Sequence, residues 1–236
     1  MTRARSIVRR RYADALAPGG GSGIPLGLVL LSLGAFALVA FLFGKRRIIV
    51  TTLIDRTKVA AFETALRLTT RWMPLFAPIT SDTGNRSPDL YRNVCEQFRV
   101  TTSPRYLAQP GATWCNIYVW DATSAMGAEI PHWFDLTTGA AVPVGRGTEM
   151  RANDMYRWLE RQLQGWREGT YEQAKANAAR GCPTVAAYFN PVPGRSGHVA
   201  MVLPNGNIAQ AGASNLFDAP LRLGFGSLPV RYFLHA

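Results

Sequence analysis

The chain has 236 residues and a formal net charge of +11, and apolar residues make up 47% of it. That length suits one large domain with an appendage, or two small domains, with ample material for a core. The charge is uneven, because residues 1–50 hold eight of the 26 Lys and Arg but one of the 15 Asp and Glu. The remainder has no basic run and no zinc-knuckle spacing, which argues against a folded nucleic-acid-binding module. Three cysteines (Cys95, Cys115, Cys182) and three histidines (His132, His198, His235) form no CxxC and no HExxH. No disulfide framework or metal site is therefore expected. The cysteine count still allows a Cys95–Cys182 pair that leaves Cys115 free.

In chain order, residues 1–23 are basic and then glycine-rich, which reads as a flexible tail. Residues 24–43, "IPLGLVLLSLGAFALVAFLF", carry no charge, and "GKRR" follows. At ~1.5 Å per residue such a helix spans ~30 Å, so a single transmembrane helix is expected there. Basic residues flank it on both sides, so the positive-inside rule gives no orientation. Residues 44–88 read as an amphipathic stalk and linker, with Val59, Phe62, Leu66 and Thr69 on one helical face before "MPLFAPITSDTGNRSP" breaks the pattern.

The globular domain is expected over 89–236. Its first helix, "DLYRNVCEQFRV", places Leu90, Val94 and Phe98 on one stripe with Cys95 beside it, a structural cysteine. Further helices are expected over 115–126, 149–163 (Met155, Trp158 and Leu159 inward) and 171–180. Strand-like runs follow at 183–189, 197–203, 207–212 and 230–235, with Asn205-Gly206 as a hairpin signal. Helices first and strands afterwards indicate α+β with an antiparallel sheet.

Within that layout, "TWCN" puts Cys115 at the start of an apolar helix, where the helix dipole favours a thiolate. An ordinary cysteine, with a pKa of ~8.5, is a weak nucleophile at neutral pH and needs a base beside it. His198 opens a strand directly after a glycine in "SGHVAMVL". Gln210, in "NIAQAG", lies on the strand across the hairpin, within reach of the imidazole on one sheet face. Asn215 is the next candidate for that third position. His132, in "IPHWFD", reads as a loop histidine packed on aromatics, with a cleft position beside Trp133 as the alternative. Asp121 falls away from the helix start, so a cap or surface role is expected, and Asn153-Asp154 reads as a helix cap.

"TWCN", "GHVAMV" and "NIAQAG", in that order, resemble the NlpC and CHAP families of papain-fold peptidoglycan peptidases and amidases over roughly residues 89–236. The resemblance implies a papain-like α+β fold, here preceded by the transmembrane helix. It implies Cys115 as nucleophile, His198 as general base and Gln210 as the residue that orients it, in place of the commoner histidine. It also implies oxyanion or substrate contacts near the cysteine, from Gln109, Trp114 and Asn116, with Tyr106 as a competing donor.

The implied activity is hydrolysis of an amide in peptidoglycan, either within the stem peptide or at the sugar–peptide junction, without a cofactor. Peptidoglycan would be the partner, together with a lipid membrane through residues 24–43, and with DNA or virion proteins as options for the basic tail. The expected location is a single-pass membrane protein with its C-terminal domain outside the cytoplasm, in a bacterial envelope or the internal membrane of a phage virion. Two other classes stay open: a non-catalytic wall-binding or structural membrane protein, and a lipid acyltransferase using the same Cys and His.

Overall fold

In a computed structural model, which describes residues 47–68 and 70–236, helix α1 covers Arg47–Leu68. The chain divides into two compact units, one ending at Ala61 and one covering Phe62–Ala236. The first unit is described only from residue 47, as helix. The second contains every other element among the described residues.

The expected membrane-anchored architecture needs correction. Among the described residues, no helix is long and apolar enough to cross a membrane. The one long helix, α1, carries Arg56, Lys58, Glu63 and Arg67, and charges of that number are expensive in hydrocarbon. The stretch 24–43, on which the transmembrane expectation fell, lies outside the described residues, as does the tail over 1–23. The fold class is α+β, built from helices and a six-stranded antiparallel sheet. The single-pass membrane location expected from the sequence is withdrawn with the anchor.

In the second unit α2 covers Pro88–Glu96, with the Ser87 hydroxyl accepting from the Leu90 N–H at 3.2 Å. Its buried face is Tyr91, Val94 and Cys95. Of the expected stripe, Val94 and Phe98 are buried, Phe98 beyond the helix end, while Leu90 is only half-buried. Helix α3, Cys115–Ala125, is buried at ten of its eleven positions. A short antiparallel pair follows, β1 (Trp133–Phe134) with β2 (Thr148–Glu149).

Helix α4, Ala152–Glu160, buries Met155, Trp158 and Leu159 as their spacing required. After β3 (Arg167–Gly169), α5 (Tyr171–Ala179) starts from a reciprocal cap between Thr170 and Gln173. The remaining elements are β4 (Thr184–Tyr188), β5 (His198–Val202), β6 (Ile208–Gln210), β7 (Leu216–Ala219), α6 (Leu221–Phe225) and β8 (Arg231–Leu234).

The sheet order is β3-β8-β4-β5-β6-β7, antiparallel throughout. Strands β4 and β5 are apolar at successive positions and buried along almost their whole length, the pattern of strands covered on both faces. Helix α3 packs against β5 and β6, and α4 packs against β4 and β5. The hairpin between β5 and β6 closes with Leu203 N–H donating to Asn207 O at 2.7 Å and Gly206 N–H to Leu203 O at 2.8 Å. Gly206 sits at φ +85°, a left-handed position that glycine takes without a steric penalty.

Candidate active site

Cys115 is the first residue of α3. The residue before it, Trp114, stands at the N-cap position, and its side chain makes no hydrogen bond to the helix's first N–H groups. The first N–H groups of a helix have no intrahelical partner, and here the Asn116 N–H turns to the Cys115 sulfur. A second backbone donor, the Val199 N–H, reaches the same sulfur from β5. The His198 side chain is hydrogen-bonded to Cys115. Helix start and strand start therefore meet at one thiol.

The position of His198 follows from the chain just before it. His198 pairs with Tyr188 across β4 and β5. A Cβ on Gly197 would lie 2.2 Å from the Tyr188 carbonyl oxygen and 2.4 Å from Asn153 Oδ1, so only glycine lets the backbone enter the strand at this point. Asn153, expected as a cap residue, instead ties down this loop. Its amide donates to Asn190 O at 3.1 Å and Arg195 O at 3.2 Å, while its oxygen accepts from Asn190 N–H at 3.0 Å. The neighbouring Asp154 does cap α4, accepting from the Arg151 N–H at 3.1 Å.

Met201 pairs with Ala209 and Val202 with Ile208. Continued along the strands, this register puts Gln210 diagonally across from His198 on the same face, where long side chains still meet. The distance from His198 Nε2 to Gln210 Oε1 is 2.7 Å. Gln210 Nε2 donates to the Ser214 carbonyl at 3.2 Å, which fixes which end of the amide faces the ring. Oε1 can only accept, so His198 Nε2 carries the proton and Nδ1 is the nitrogen left for Cys115. The Phe225 ring of α6 lies against the imidazole, centroids 4.8 Å apart.

The electrostatics of the pair oppose burial and overcome it. Burial alone would raise the Cys115 thiol. The hydrogen bond and charge of His198, with the Val199 and Asn116 N–H groups, bring it below the ordinary thiol value. Burial alone would lower the His198 imidazole, but Cys115 and then Gln210 raise it above its ordinary value. Both shifts favour thiolate beside imidazolium, the charged state a sulfur nucleophile requires.

Other residues singled out by sequence have different occupations. Trp114 donates its indole N–H to Leu107 O at 3.0 Å and sits under the Arg71 guanidinium, 4.4 Å from the ring centroid. The Asn116 amide is committed to Met150 O at 3.0 Å, so its contribution to the site is its backbone N–H. Gln109 is exposed in a tight turn whose backbone pairs with Ala112, and it is not part of the hydrogen-bonded set around Cys115. The Tyr106 hydroxyl donates to Asp121 at 2.7 Å and is taken out of competition as an oxyanion donor.

Asp121 has neither a cap nor a surface role. It is buried and holds Arg105 through two bonds, 2.7 and 3.0 Å. Burial works against the Arg105 charge, and Asp121 more than restores it. Asp121 thus bolts α3 to the segment that leads toward Trp114, and Arg105 also donates to Thr70 O and Met73 O. Asn215 donates to Val100 O at 2.7 Å and Tyr106 O at 3.0 Å, supporting that same segment and leaving the third position to Gln210.

His132 is packed on aromatics, stacked on Trp120 with centroids 4.7 Å apart. All three cysteines are free thiols. Burial pushes Cys95 up to about 12.

Sequence reasoning missed Ser214, Gly224 and Phe225, which surround the His198–Gln210 pair. The only signal for them was "GFG" (224–226) in a stretch with no periodicity. No protein-family model matches this chain, and no curated protein matches it significantly.

Proposed function

We propose that this chain is a cysteine-dependent amide hydrolase acting on peptidoglycan. The observation that carries the chemistry is the His198 ring hydrogen-bonded to Cys115 on one side and to Gln210 on the other. In this reading Cys115 attacks the amide carbonyl as a thiolate. The first-turn N–H groups of α3 offer donors to the tetrahedral oxyanion. His198 protonates the leaving amine and then takes a proton from the water that resolves the thioester. Gln210 holds the ring in the tautomer that keeps Nδ1 toward the sulfur.

The substrate class has separate support, from the likeness of "TWCN", "GHVAMV" and "NIAQAG" to the NlpC and CHAP peptidoglycan hydrolases. Incubating the full chain with purified peptidoglycan, beside Cys115→Ala and His198→Ala, tests both parts by mass spectrometry of the released fragments. Release by the unaltered protein alone is expected, and the fragment masses name the bond. Release by all three proteins would remove the catalytic role of Cys115. Wall binding by all three without release would make the chain a binding module.

A further inference from the structure

We infer that Gly224 is a positioning residue for the His198 imidazole, acting through Gln210. The inference rests on the hydrolase reading above for its meaning in catalysis, though not for its geometry. Gly224 lies in α6, the helix that packs on β6 and β7. A Cβ built there would fall 2.1 Å from Gln210 Oε1 and 2.5 Å from Ile208 Cδ1. No real side chain tolerates such an approach, and Oε1 is the atom that accepts from His198 Nε2. The space the hydrogen-bond acceptor occupies is therefore the space a side chain at 224 would fill.

Three features single this position out. Glycine is a poor helix former beside alanine, and Gly224 does not have the positive φ that would call for glycine on backbone grounds. Its absence of a side chain thus serves packing against the sheet, not the turn of the chain. Its neighbour Phe225 is buried and rests on the other partner of the same hydrogen bond, the His198 ring. Adjacent residues of one short helix thus touch both ends of the His198–Gln210 pair. Gly212 is also bare, and a Cβ there would come within 3.2 Å of Gln210 Nε2 and 3.4 Å of His198 Cε1. Each end of the glutamine amide thus has a glycine close by, and Ser214 anchors the nitrogen.

Gln210 Oε1 and Ile208 Cδ1 are both far ends of flexible side chains. An added methyl group displaces them more readily than it displaces backbone. Gly224→Ala should accordingly keep the fold and swing Gln210 away from His198.

The test measures Cys115 alkylation by iodoacetamide against pH, site-resolved by mass spectrometry, for the full chain and for Gly224→Ala, Gln210→Ala and the double variant. A shift of the midpoint to higher pH by about one unit is expected in Gly224→Ala, roughly a tenfold slower reaction below the midpoint. Gln210→Ala should shift equally, and the double variant no further. An unshifted Gly224→Ala profile, or additive shifts, would overturn the proposal. If Gly224→Ala does not fold, adding Ile208→Val removes the other obstructing atom, and that variant is read in the same way. Failure of both to fold would make Gly224 a packing residue only and also overturn it. Peptidoglycan release is followed in parallel. Its absence in the unaltered protein would sink the hydrolase reading while the alkylation profiles still decide the role of Gly224.

Discussion

His198 Nε2 and Gln210 Oε1 meet at 2.7 Å across two adjacent strands, and the far end of the glutamine amide is held by the Ser214 carbonyl. The ring is oriented by a neutral acceptor whose own direction is fixed. A carboxylate in that place would stabilise the imidazolium by charge; the neutral Gln210 contributes one hydrogen bond and alignment.

Gln210→Ala should therefore lower kcat on peptidoglycan by about 10²-fold, the loss expected when a reacting group is misplaced by an ångström or so. KM should change little, because Gln210 is buried and its amide is committed to His198 and Ser214. A rise in KM at unchanged kcat would show that the residue serves binding.

The thiols should separate by reactivity. Cys115 is drawn below the ordinary thiol value by His198, while burial pushes Cys95 to about 12. In the folded protein at pH 7, iodoacetamide should modify Cys115 and leave Cys95 untouched. His198→Ala removes the hydrogen bond and positive charge that favour the thiolate, so the Cys115 profile should move to higher pH. An unchanged profile in that variant would mean that the two side chains are not coupled.

Much of this was legible in the sequence because it depends on local pattern. The apolar runs of β4 and β5, the Met155/Trp158/Leu159 spacing and the Asn205-Gly206 turn each declare an element without reference to the rest. Cys115, His198 and Gln210 were legible for the same reason, since each sits at an element boundary or across a short hairpin. Strands of two to four residues, such as β1, β3 and β7, are too brief to show a period. Asp121 was misjudged because its partners Arg105 and Tyr106 are on a loop, and a buried ion pair leaves no periodic trace. Gly224 could not be seen because its meaning lies in an atom fourteen residues away.

Arg105 and Asp121 should act as one unit in stability. Asp121→Asn keeps the shape and leaves the buried guanidinium unpaired, so a loss of about 3–5 kcal/mol is expected from urea denaturation. The side chains of both residues are essentially inaccessible, so little screening by solvent softens that figure. Because the pair holds α3 to the segment approaching Trp114, the surviving folded fraction should also alkylate Cys115 more slowly. A loss under about 1 kcal/mol would place the pair with exposed ion pairs in its energetics.

His132 should make the fold acid-sensitive. Burial, and to a lesser degree the Arg105 charge, lower its pKa to about 4. In the unfolded chain the imidazole titrates near its ordinary ~6.5. Between those two values the unfolded chain binds a proton that the folded chain refuses, so stability rises with pH across that window. It falls as pH drops from about 6.5 to about 4, by an amount on the order of 3 kcal/mol. Neither ring nitrogen has a hydrogen-bond partner among the described residues, and the Glu149 carboxylate is 3.6 Å from Nε2. His132→Phe should therefore keep the stack on Trp120 without orphaning a polar group, and should be close to neutral at pH 7. Urea midpoints measured from pH 7 to pH 4 should decline more gently in this variant. If its decline matches that of the unaltered protein, the acid sensitivity arises from other groups and the imidazole binds its proton equally well in the folded and unfolded chain.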